Sequence, residues 1–197
     1  GNVDSVKIYS EYGTVNADPT GTAFETTTVY DTALETFPIR SVNPLSQETV
    51  TDYLPALGLP YRVTDPNGWQ SLTSYDGLGR TLSVWSPGLS QPGVYYSYPD
   101  VNSGTGRIAA PYSVEMQILD TAAAPSQYRS VWGLYDGLGR MLQTQVYNAD
   151  TNKLLITDSY FNAQGLNFKQ SLPYEISTSG GYYVLPTGTQ FTTTTFD

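Results

Sequence analysis

Two residue types on which much enzyme chemistry depends, histidine and cysteine, are absent from this sequence of 197 residues. Their absence excludes Ser-His-Asp and Cys-His nucleophile systems and the zinc sites that are built from His and Cys. A general base acting near pH 7 would have to be a carboxylate or a lysine with a shifted pKa. Disulfides are excluded as well, which leaves the redox compartment of the protein open.

Positive charge is also scarce in this chain. Nine Lys and Arg stand against eighteen Asp and Glu, which gives a net charge of −9 and a sequence pI near 4.2. Because the basic residues are scattered rather than clustered, we expect neither nucleic acid nor an anionic membrane surface as a partner. No apolar run is long enough to span a bilayer, so no membrane span is predicted.

The eighteen carboxylates form no recognisable catalytic or metal-binding pattern. No spacing marks two of them as the acid and base of a glycoside hydrolase, and the clustered Asp-x-Asp-x-Asp ligands that calcium prefers are missing. A carboxylate-only enzyme is therefore the least favoured interpretation. We predict no catalytic residue, no metal site and no cofactor, and hence a protein that is not an enzyme.

Turn-forming and aromatic residues are abundant, with 18 Gly, 13 Pro and 17 Tyr. This composition favours an all-β fold with many turns. A hydrophobic content of 39% with only 14% charged residues is not typical of a disordered chain. Long helical periodicity is missing, and the best short helix would run from Ser46 to Leu57, where Pro55 would interrupt it.

One hexapeptide, Tyr-Asp-Gly-Leu-Gly-Arg, occurs twice without change, at residues 75–80 and 135–140. A catalytic group is normally needed once, whereas a repeated turn is needed in every structural unit. Asp followed three positions later by Gly79 or Gly139 fits a type I turn, and Asp-Gly is also a signal for a two-residue hairpin loop. Both registers predict a tight β-hairpin, and the sequence leaves them open.

The residues around the hexapeptides have strand character. Polar and apolar residues alternate on both sides, with many Thr, Val and aromatic residues. In this interpretation Tyr75 and Tyr135 end the incoming strands, and Arg80 and Arg140 open the outgoing ones. Stacking of Tyr on Arg, or an ion pair from Asp76 or Asp136 to the arginine, is expected across each turn.

Weaker copies of the hexapeptide occur along the chain. The sequence Phe161-Asn162-Ala163-Gln164-Gly165 keeps an aromatic residue, an Asx residue and a glycine at the same spacing. Two further degenerate repeats are predicted near residues 30–40 and 53–62, and the repeat at Phe161 extends to residue 174. The copies indicate an array of antiparallel β-hairpins in a curved sheet, in which Phe161, Asn162 and Gly165 have the same turn roles as the hexapeptide residues.

The two hexapeptides and the residues around them resemble the RHS repeat, also called the YD repeat. The similarity is specific at residues 65–85, where Asp65-Pro66-Asn67-Gly68 and Thr73 precede the first hexapeptide, and at residues 135–147, where Leu142 and Gln145 follow the second. Gly165 with the later Gln170-Ser171-Leu172-Pro173-Tyr174 also resembles repeats of bacterial toxin-complex B-type proteins and polymorphic toxins. Residues 1–197 are accordingly interpreted as a single RHS/YD-repeat region, a fragment of a larger chain.

The resemblance implies a function. In that family, hairpin arrays wind into a hollow β-shell that encloses a C-terminal polypeptide until delivery, and the shell repeats have no catalytic role. The expected partners are the remainder of the same shell and the enclosed cargo polypeptide, and a slice of shell is also expected to associate edge to edge with other copies. The expected location, by resemblance, is secreted or on a bacterial cell surface. Aspartate-dependent self-cleavage belongs to a separate segment for which this sequence has no candidate.

Exposed aromatic residues offer a rival interpretation. A carbohydrate- or receptor-binding β-module would use a platform of indole and phenol rings, for which the candidates are Trp69, Trp85, Tyr95, Tyr96, Tyr98 and Trp132. The simpler interpretation is that these rings pack between neighbouring hairpins. The two differ in whether the rings are exposed and gathered on one surface.

Overall fold

The computed structural model describes residues 1–11, 19–99, 110–122, 127–187 and 190–196. Fifteen β-strands and no α-helix occur in these residues, so the all-β prediction is confirmed. The predicted helix from Ser46 to Leu57 is wrong. Residues Glu48–Leu54 form a strand instead, because Val, Thr and Tyr are β-branched or aromatic and favour the extended backbone.

The chain divides into two compact units, residues 1–93 and 94–197. In the first unit, seven strands pair antiparallel, each with the next along the chain. They are β1 (Ser5–Glu11), β2 (Thr20–Tyr30), β3 (Pro38–Val42), β4 (Glu48–Leu54), β5 (Leu59–Thr64), β6 (Gln70–Tyr75) and β7 (Thr81–Trp85). This is the array of antiparallel hairpins that the sequence predicts.

The second unit continues the same pattern with one variation. Its strands are β8 (Val94–Ser97), β9 (Tyr112–Asp120), β10 (Gln127–Tyr135), β11 (Met141–Asn148), β12 (Lys153–Phe161), β13 (Asn167–Ser171), β14 (Tyr174–Ile176) and β15 (Phe191–Thr193). Strands β8 to β12 pair in chain order. The variation is that β12 pairs with β13 near its end and with β14 near its start, while β15 pairs with β13.

Buried side chains concentrate on one face of the second unit. Leu134, Leu154 and Ile156 are at most 1% exposed. Gln143, Gln145 and Asp158 are equally buried, and they lie on the same face because directly opposite residues share a face. This unit therefore has a core that combines apolar side chains with a polar cluster.

A β-bulge follows the turn in five hairpins. The register shifts by one residue beside the aromatic residue that precedes each turn. Comparison of the Cα partners shows that the extra residue always lies in the outgoing strand and is always large and apolar, namely Ile39, Tyr61, Leu82, Leu142 and Phe168. Such bulges increase the local twist of a strand pair, so each hairpin repeats one geometric step.

Candidate functional site: a repeated hairpin turn

The two identical hexapeptides form the same turn. The amide of Gly79 donates to the carbonyl oxygen of Asp76 at 3.0 Å, and the amide of Asp76 donates to the carbonyl oxygen of Arg80 at 2.9 Å. The corresponding distances at Asp136 are 3.1 and 3.0 Å. Gly79 and Gly139 have φ of 79° and 77°. The structure thus selects the turn with Asp first and glycine fourth, and not the two-residue Asp-Gly loop.

Each turn is organised by the aspartate carboxylate. Oδ1 of Asp76 accepts from the amides of Leu78 and Arg80, both at 2.9 Å, and Oδ2 accepts from Nε of Arg80 at 2.6 Å. Asp136 makes the same three contacts, with the guanidinium Nε of Arg140 at 2.7 Å. Both carboxylate oxygens are therefore engaged within their own loop. Of the two contacts expected across the turn, the Asp–Arg ion pair is present.

These contacts lower the pKa of both aspartates. At Asp76, partial desolvation on its own would raise the pKa, but hydrogen bonds from the amides of Arg80 and Leu78 and the guanidinium charge outweigh it. At Asp136, the hydrogen bond from the amide of Arg140 is the largest cause of the lowered pKa. Both groups are ionised at neutral pH and act as hydrogen-bond acceptors only.

The same turn recurs with different residues. At Asn162, Oδ1 accepts from the amides of Gln164 and Leu166, and Gly165 has φ of 81°. At Asp65, Oδ1 accepts from the amides of Asn67 and Trp69, and Gly68 takes the left-handed position. Asx in the first position and a left-handed residue in the fourth are therefore sufficient for this turn.

One copy of the turn was missed by sequence reasoning. Asn43 accepts from the amides of Leu45 and Gln47, and Ser46 is left-handed with φ of 60°. The missing glycine hid this copy. A usable signal existed nevertheless, since Pro44 follows Asn43 as Pro66 follows Asp65, and proline is favoured at the second position of a type I turn.

The two weakest predicted copies are looser variants. In the region 30–40, the carboxylate of Asp31 accepts from the amides of Leu34, Thr36 and Phe37, and Glu35 takes the left-handed position in a longer loop. The hydrogen bond from Phe37 is the largest cause of the lowered pKa of Asp31. In the region 53–62 no Asx residue takes part, and Gly58 closes the turn on the carbonyl oxygen of Leu54 at 2.9 Å.

Aromatic residues that precede a bulged turn contact a neighbouring strand. The hydroxyl of Tyr75 donates to the carbonyl oxygen of Pro60 at 2.7 Å. The hydroxyl of Tyr53 lies 3.5 Å from the carbonyl oxygen of Pro38. Tyr135 stacks on Tyr112 of the neighbouring strand β9, with ring centroids 5.6 Å apart. These rings connect neighbouring strands, whereas the sequence predicted only their position before the turn.

The outgoing arginine also reaches a neighbouring hairpin. The guanidinium of Arg140 lies over the ring of Phe161, 5.0 Å from its centroid. The hexapeptide in one hairpin therefore touches the degenerate copy in the next. This cation–π contact joins residues that are 21 positions apart in the sequence, which the repeat alone does not predict.

The aromatic residues of the rival interpretation are divided. Trp69 and Trp85 belong to the first unit, where Trp69 is 56% exposed in a turn. In the second unit, strand register places Tyr95 and Trp132 on one face, with Glu115 and Gln117, and Tyr96 on the other, opposite Met116. Tyr98 stacks on Tyr96, with centroids 6.4 Å apart. Within the second unit, the rings therefore do not share one face.

No group of three or more Asp and Glu side chains in the described residues is placed to hold a metal ion. No helix in those residues is long and apolar enough to cross a membrane. The most buried carboxylate, Asp158, accepts from Nε2 of Gln143 at 2.6 Å and from the hydroxyl of Tyr174 at 2.8 Å. It is held in the core of the second unit.

Solved structures with a similar fold are known. The crystal structure of TcdB2-TccC3-TEV matches 79% of this chain and 12% of its own, with a TM-score of 0.63 and 15% sequence identity. The crystal structure of TcdB2-TccC3-Cdc42 matches 78% and 12%, with a TM-score of 0.64 and 15% identity. The chain therefore spans about an eighth of these proteins. No family model and no curated protein sequence matches it.

At 15% identity these likenesses show a shared fold. They support the resemblance to the RHS repeats of toxin complexes that the two hexapeptides indicate. The all-β hairpin array, predicted from turn chemistry, is the architecture found in those toxin-complex structures.

Proposed function

We propose that residues 1–197 form one RHS-type repeat region, a non-catalytic segment in the wall of a hollow β-shell that encloses a C-terminal polypeptide cargo. The parent is a large toxin-related protein that is secreted or displayed on a bacterial surface. The physical partners of the segment are the remainder of its own shell and the enclosed polypeptide. Its role is mechanical, since continuous strand pairing and repeated turns maintain the wall.

The observation that carries this proposal is a set of features repeated at successive hairpins, which we call the joint. The same sequence of features, an aromatic residue, an organised turn and an apolar bulge, returns in both units. A bulge increases the twist of its strand pair, and the aromatic side chain contacts the strand before it. A wall requires such a step to be repeated, whereas a single binding or catalytic site does not.

The carboxylates of the joint support a structural role. Both oxygens of Asp76 and of Asp136 are used by the backbone and the arginine of their own turn. A general acid or base must exchange a proton with a substrate that it can reach. Each of these aspartates already accepts three hydrogen bonds from its own loop, so it serves to hold the loop closed.

The edge strand β1 supports continuation into a larger sheet. All seven of its residues are exposed, and among the described residues it pairs only with β2. Val6 and Ile8 are 53% and 67% exposed. An exposed edge strand is a template for pairing with another strand, which in the parent would be the next hairpin of the shell.

The proposal is tested by measuring mass with light scattering over a wide range of chain concentrations. We expect concentration-dependent association through strand edges, and Ile8→Lys should reduce it because lysine on an edge strand opposes pairing. Leu138→Lys is the matched control, since Leu138 is 80% exposed in a turn and away from the edge. A monomer at every concentration, or equal effects of the two substitutions, would contradict the proposal.

A second candidate function is binding of carbohydrate or of a receptor. Its support is a groove of about 360 Å³ lined by Tyr95, Tyr96, Ser97, Glu115 and Gln117. An aromatic ring beside a carboxylate and an amide suits a sugar, which offers both apolar ring faces and hydroxyl groups. Glycan-array binding that Tyr95→Ala abolishes would favour this function, and an array without a hit would remove it.

A further inference from the structure

A segment without regular strand structure crosses the buried face of the second unit. This strap, residues 177–187, follows β14 and lies over β11. It is attached through two glutamine side chains of β11. Gln145 donates from Nε2 to the carbonyl oxygen of Tyr182 at 2.7 Å, and its Oε1 accepts from the amide of Gly181 at 2.9 Å.

The second glutamine repeats this arrangement two residues earlier in β11. Nε2 of Gln143 donates to the carbonyl oxygen of Val184 at 3.0 Å, and its Oε1 accepts from the amide of the same residue at 3.2 Å. Each side-chain amide thus offers one donor and one acceptor to the strap backbone. Two primary amides at alternate positions of one strand therefore bind the strap main chain at Gly181, Tyr182 and Val184.

Hydrogen bonds within the core fix the orientation of both side-chain amides. Oδ1 of Asp158 accepts from Nε2 of Gln143 at 2.6 Å, and Oε1 of Gln143 accepts from Nε2 of Gln145 at 2.7 Å. Because the amide nitrogen of Gln143 is bound to Asp158, its amide oxygen faces the nitrogen of Gln145, and the donor end of each amide is defined. Both glutamines are 0% exposed. Their free donors and acceptors are therefore directed at the strap before it binds, and a pre-oriented site loses little entropy on binding.

The indole ring of Trp132 lies against the strap and leaves no room for a side chain at position 180. A Cβ atom at Gly180 would lie 2.4 Å from Cζ3 of Trp132, and Gly181 has φ of 86° with the indole Nε1 3.3 Å from its Cβ position. Trp132 therefore accepts two consecutive glycines and no larger residue at the first position. In contrast, the side chain of Tyr182 is 74% exposed and contributes little to the attachment.

We propose that Trp132, Gln143 and Gln145 form a binding site for a polypeptide main chain that turns at two consecutive glycines, which residues 180–184 occupy in cis. The two glutamines hydrogen-bond to backbone amides and carbonyls. The indole ring leaves room only for glycine at position 180. The fitting partner in trans is a second polypeptide with this pattern, recognised through hydrogen bonds to its main chain. The site does not depend on the shell function proposed above.

The proposal is tested by removing the strap from the site and supplying it in trans. In one variant, residues 178–186 are replaced by nine serines, because serine at position 180 would clash with Trp132. The probe is a fluorescein-labelled peptide with the sequence of residues 177–187, and binding is measured by fluorescence anisotropy. We expect saturable binding to the replaced chain and none to the wild-type chain at the same concentrations, since the cis strap has a high effective concentration.

Two peptide controls separate backbone recognition from adhesion of apolar side chains. A peptide with Gly180→Val should bind at least about tenfold more weakly, and one with Tyr182→Ala should bind within about threefold of the original. Equal binding of the valine peptide would overturn the proposal, as would a large loss with the alanine peptide.

A single substitution covers the case in which the replaced chain does not fold. Gly180→Val in the full chain expels only the cis strap from the indole ring and leaves β14 and β15 in place. This chain should bind the wild-type peptide, and adding Gln145→Leu should abolish the binding. A Gly180→Val chain that keeps its β-sheet circular dichroism spectrum and binds no peptide would overturn the proposal.

Discussion

The hydroxyl group of Tyr75, at the end of β6, donates a hydrogen bond of 2.7 Å to the carbonyl oxygen of Pro60, at the start of β5. Strands β5 and β6 pair with each other, and each also belongs to a bulged hairpin, β4–β5 and β6–β7 respectively. The bond therefore joins two repeats, and it satisfies a carbonyl group close to the bulge of the preceding hairpin. Tyr53 and Pro38 have the same separation of 15 residues, at a longer distance of 3.5 Å.

Removal of this hydroxyl should destabilise the first unit. Tyr75→Phe keeps the ring and leaves the carbonyl of Pro60 without its donor, so the free energy of unfolding should fall by about 1 kcal/mol. Tyr53→Phe is the matched control and should cost less, because 3.5 Å is at the limit of a hydrogen bond. Urea denaturation measures both changes, and equal losses would show that the hydroxyl of Tyr75 does not join the hairpins.

The left-handed glycine of the turn should be more sensitive than its neighbour. Gly139 has φ of 77° and open space around a Cβ, so Gly139→Ala tests backbone conformation alone, with an expected loss of about 1 kcal/mol. Gly137, in the same loop, has no positive φ and meets only an ordinary contact at 3.8 Å. Gly137→Ala should therefore change thermal stability little, and the reverse order would count against the observed turn register.

Stability should depend on pH through the turn aspartates. The pKa of Asp76 and that of Asp136 both lie below the ordinary value of 3.8 in the folded chain. Their contribution is therefore complete above the unfolded pKa and is lost as the pH falls through the folded pKa. The acid limb of the stability curve should lie below about pH 4 for these groups.

Asp136→Asn isolates this effect, since Asn162 shows that asparagine closes the same turn. The variant keeps the Oδ1 acceptor but has no carboxyl group to titrate and no ion pair with Arg140. We expect lower stability than wild type at pH 7 and a smaller loss on acidification, measured by thermal unfolding at several pH values. Parallel pH curves for the two chains would contradict the assignment.

Tyr174 should have the opposite pH dependence. Burial, together with its hydrogen bond to Asp158, raises the pKa of Tyr174 from 10 to about 12. A raised pKa stabilises the fold fully below the unfolded value and is lost as the pH rises through the folded value, so this contribution should fade between pH 10 and about 12.

Tyr174→Phe should reduce that alkaline slope and should also destabilise the chain at neutral pH. The buried carboxylate of Asp158 would lose one of its donors, at a cost of about 1–3 kcal/mol. Titration of tyrosine absorbance against pH, together with urea denaturation, measures both effects. An unchanged alkaline slope would show that another group controls it.

Much of the turn could be predicted from the sequence because its hydrogen bonds are local. Asp76 and Asp136 bond to amides two and four residues ahead, so all partners lie within one loop. The same locality explains the miss at Asn43, where Ser46 takes a left-handed conformation that sequence statistics reserve mainly for glycine. The error at Ser46 to Leu57 arose where a short segment had no clear period, and pairing with β3 and β5 decided its structure.

The sequence by itself determined the all-β class, the hairpin positions and the absence of His- and Cys-based chemistry, because these depend on residue type and short-range spacing. Only the tertiary structure decided which hairpins Tyr75 and Arg140 touch, and which aromatic residues share a face. It also decided where the strap lies. The strap backbone contacts Gln143 and Gln145, which are 36 to 41 residues away in the sequence. Such contacts depend on register and on the path of the chain over the sheet, and no local pattern encodes either.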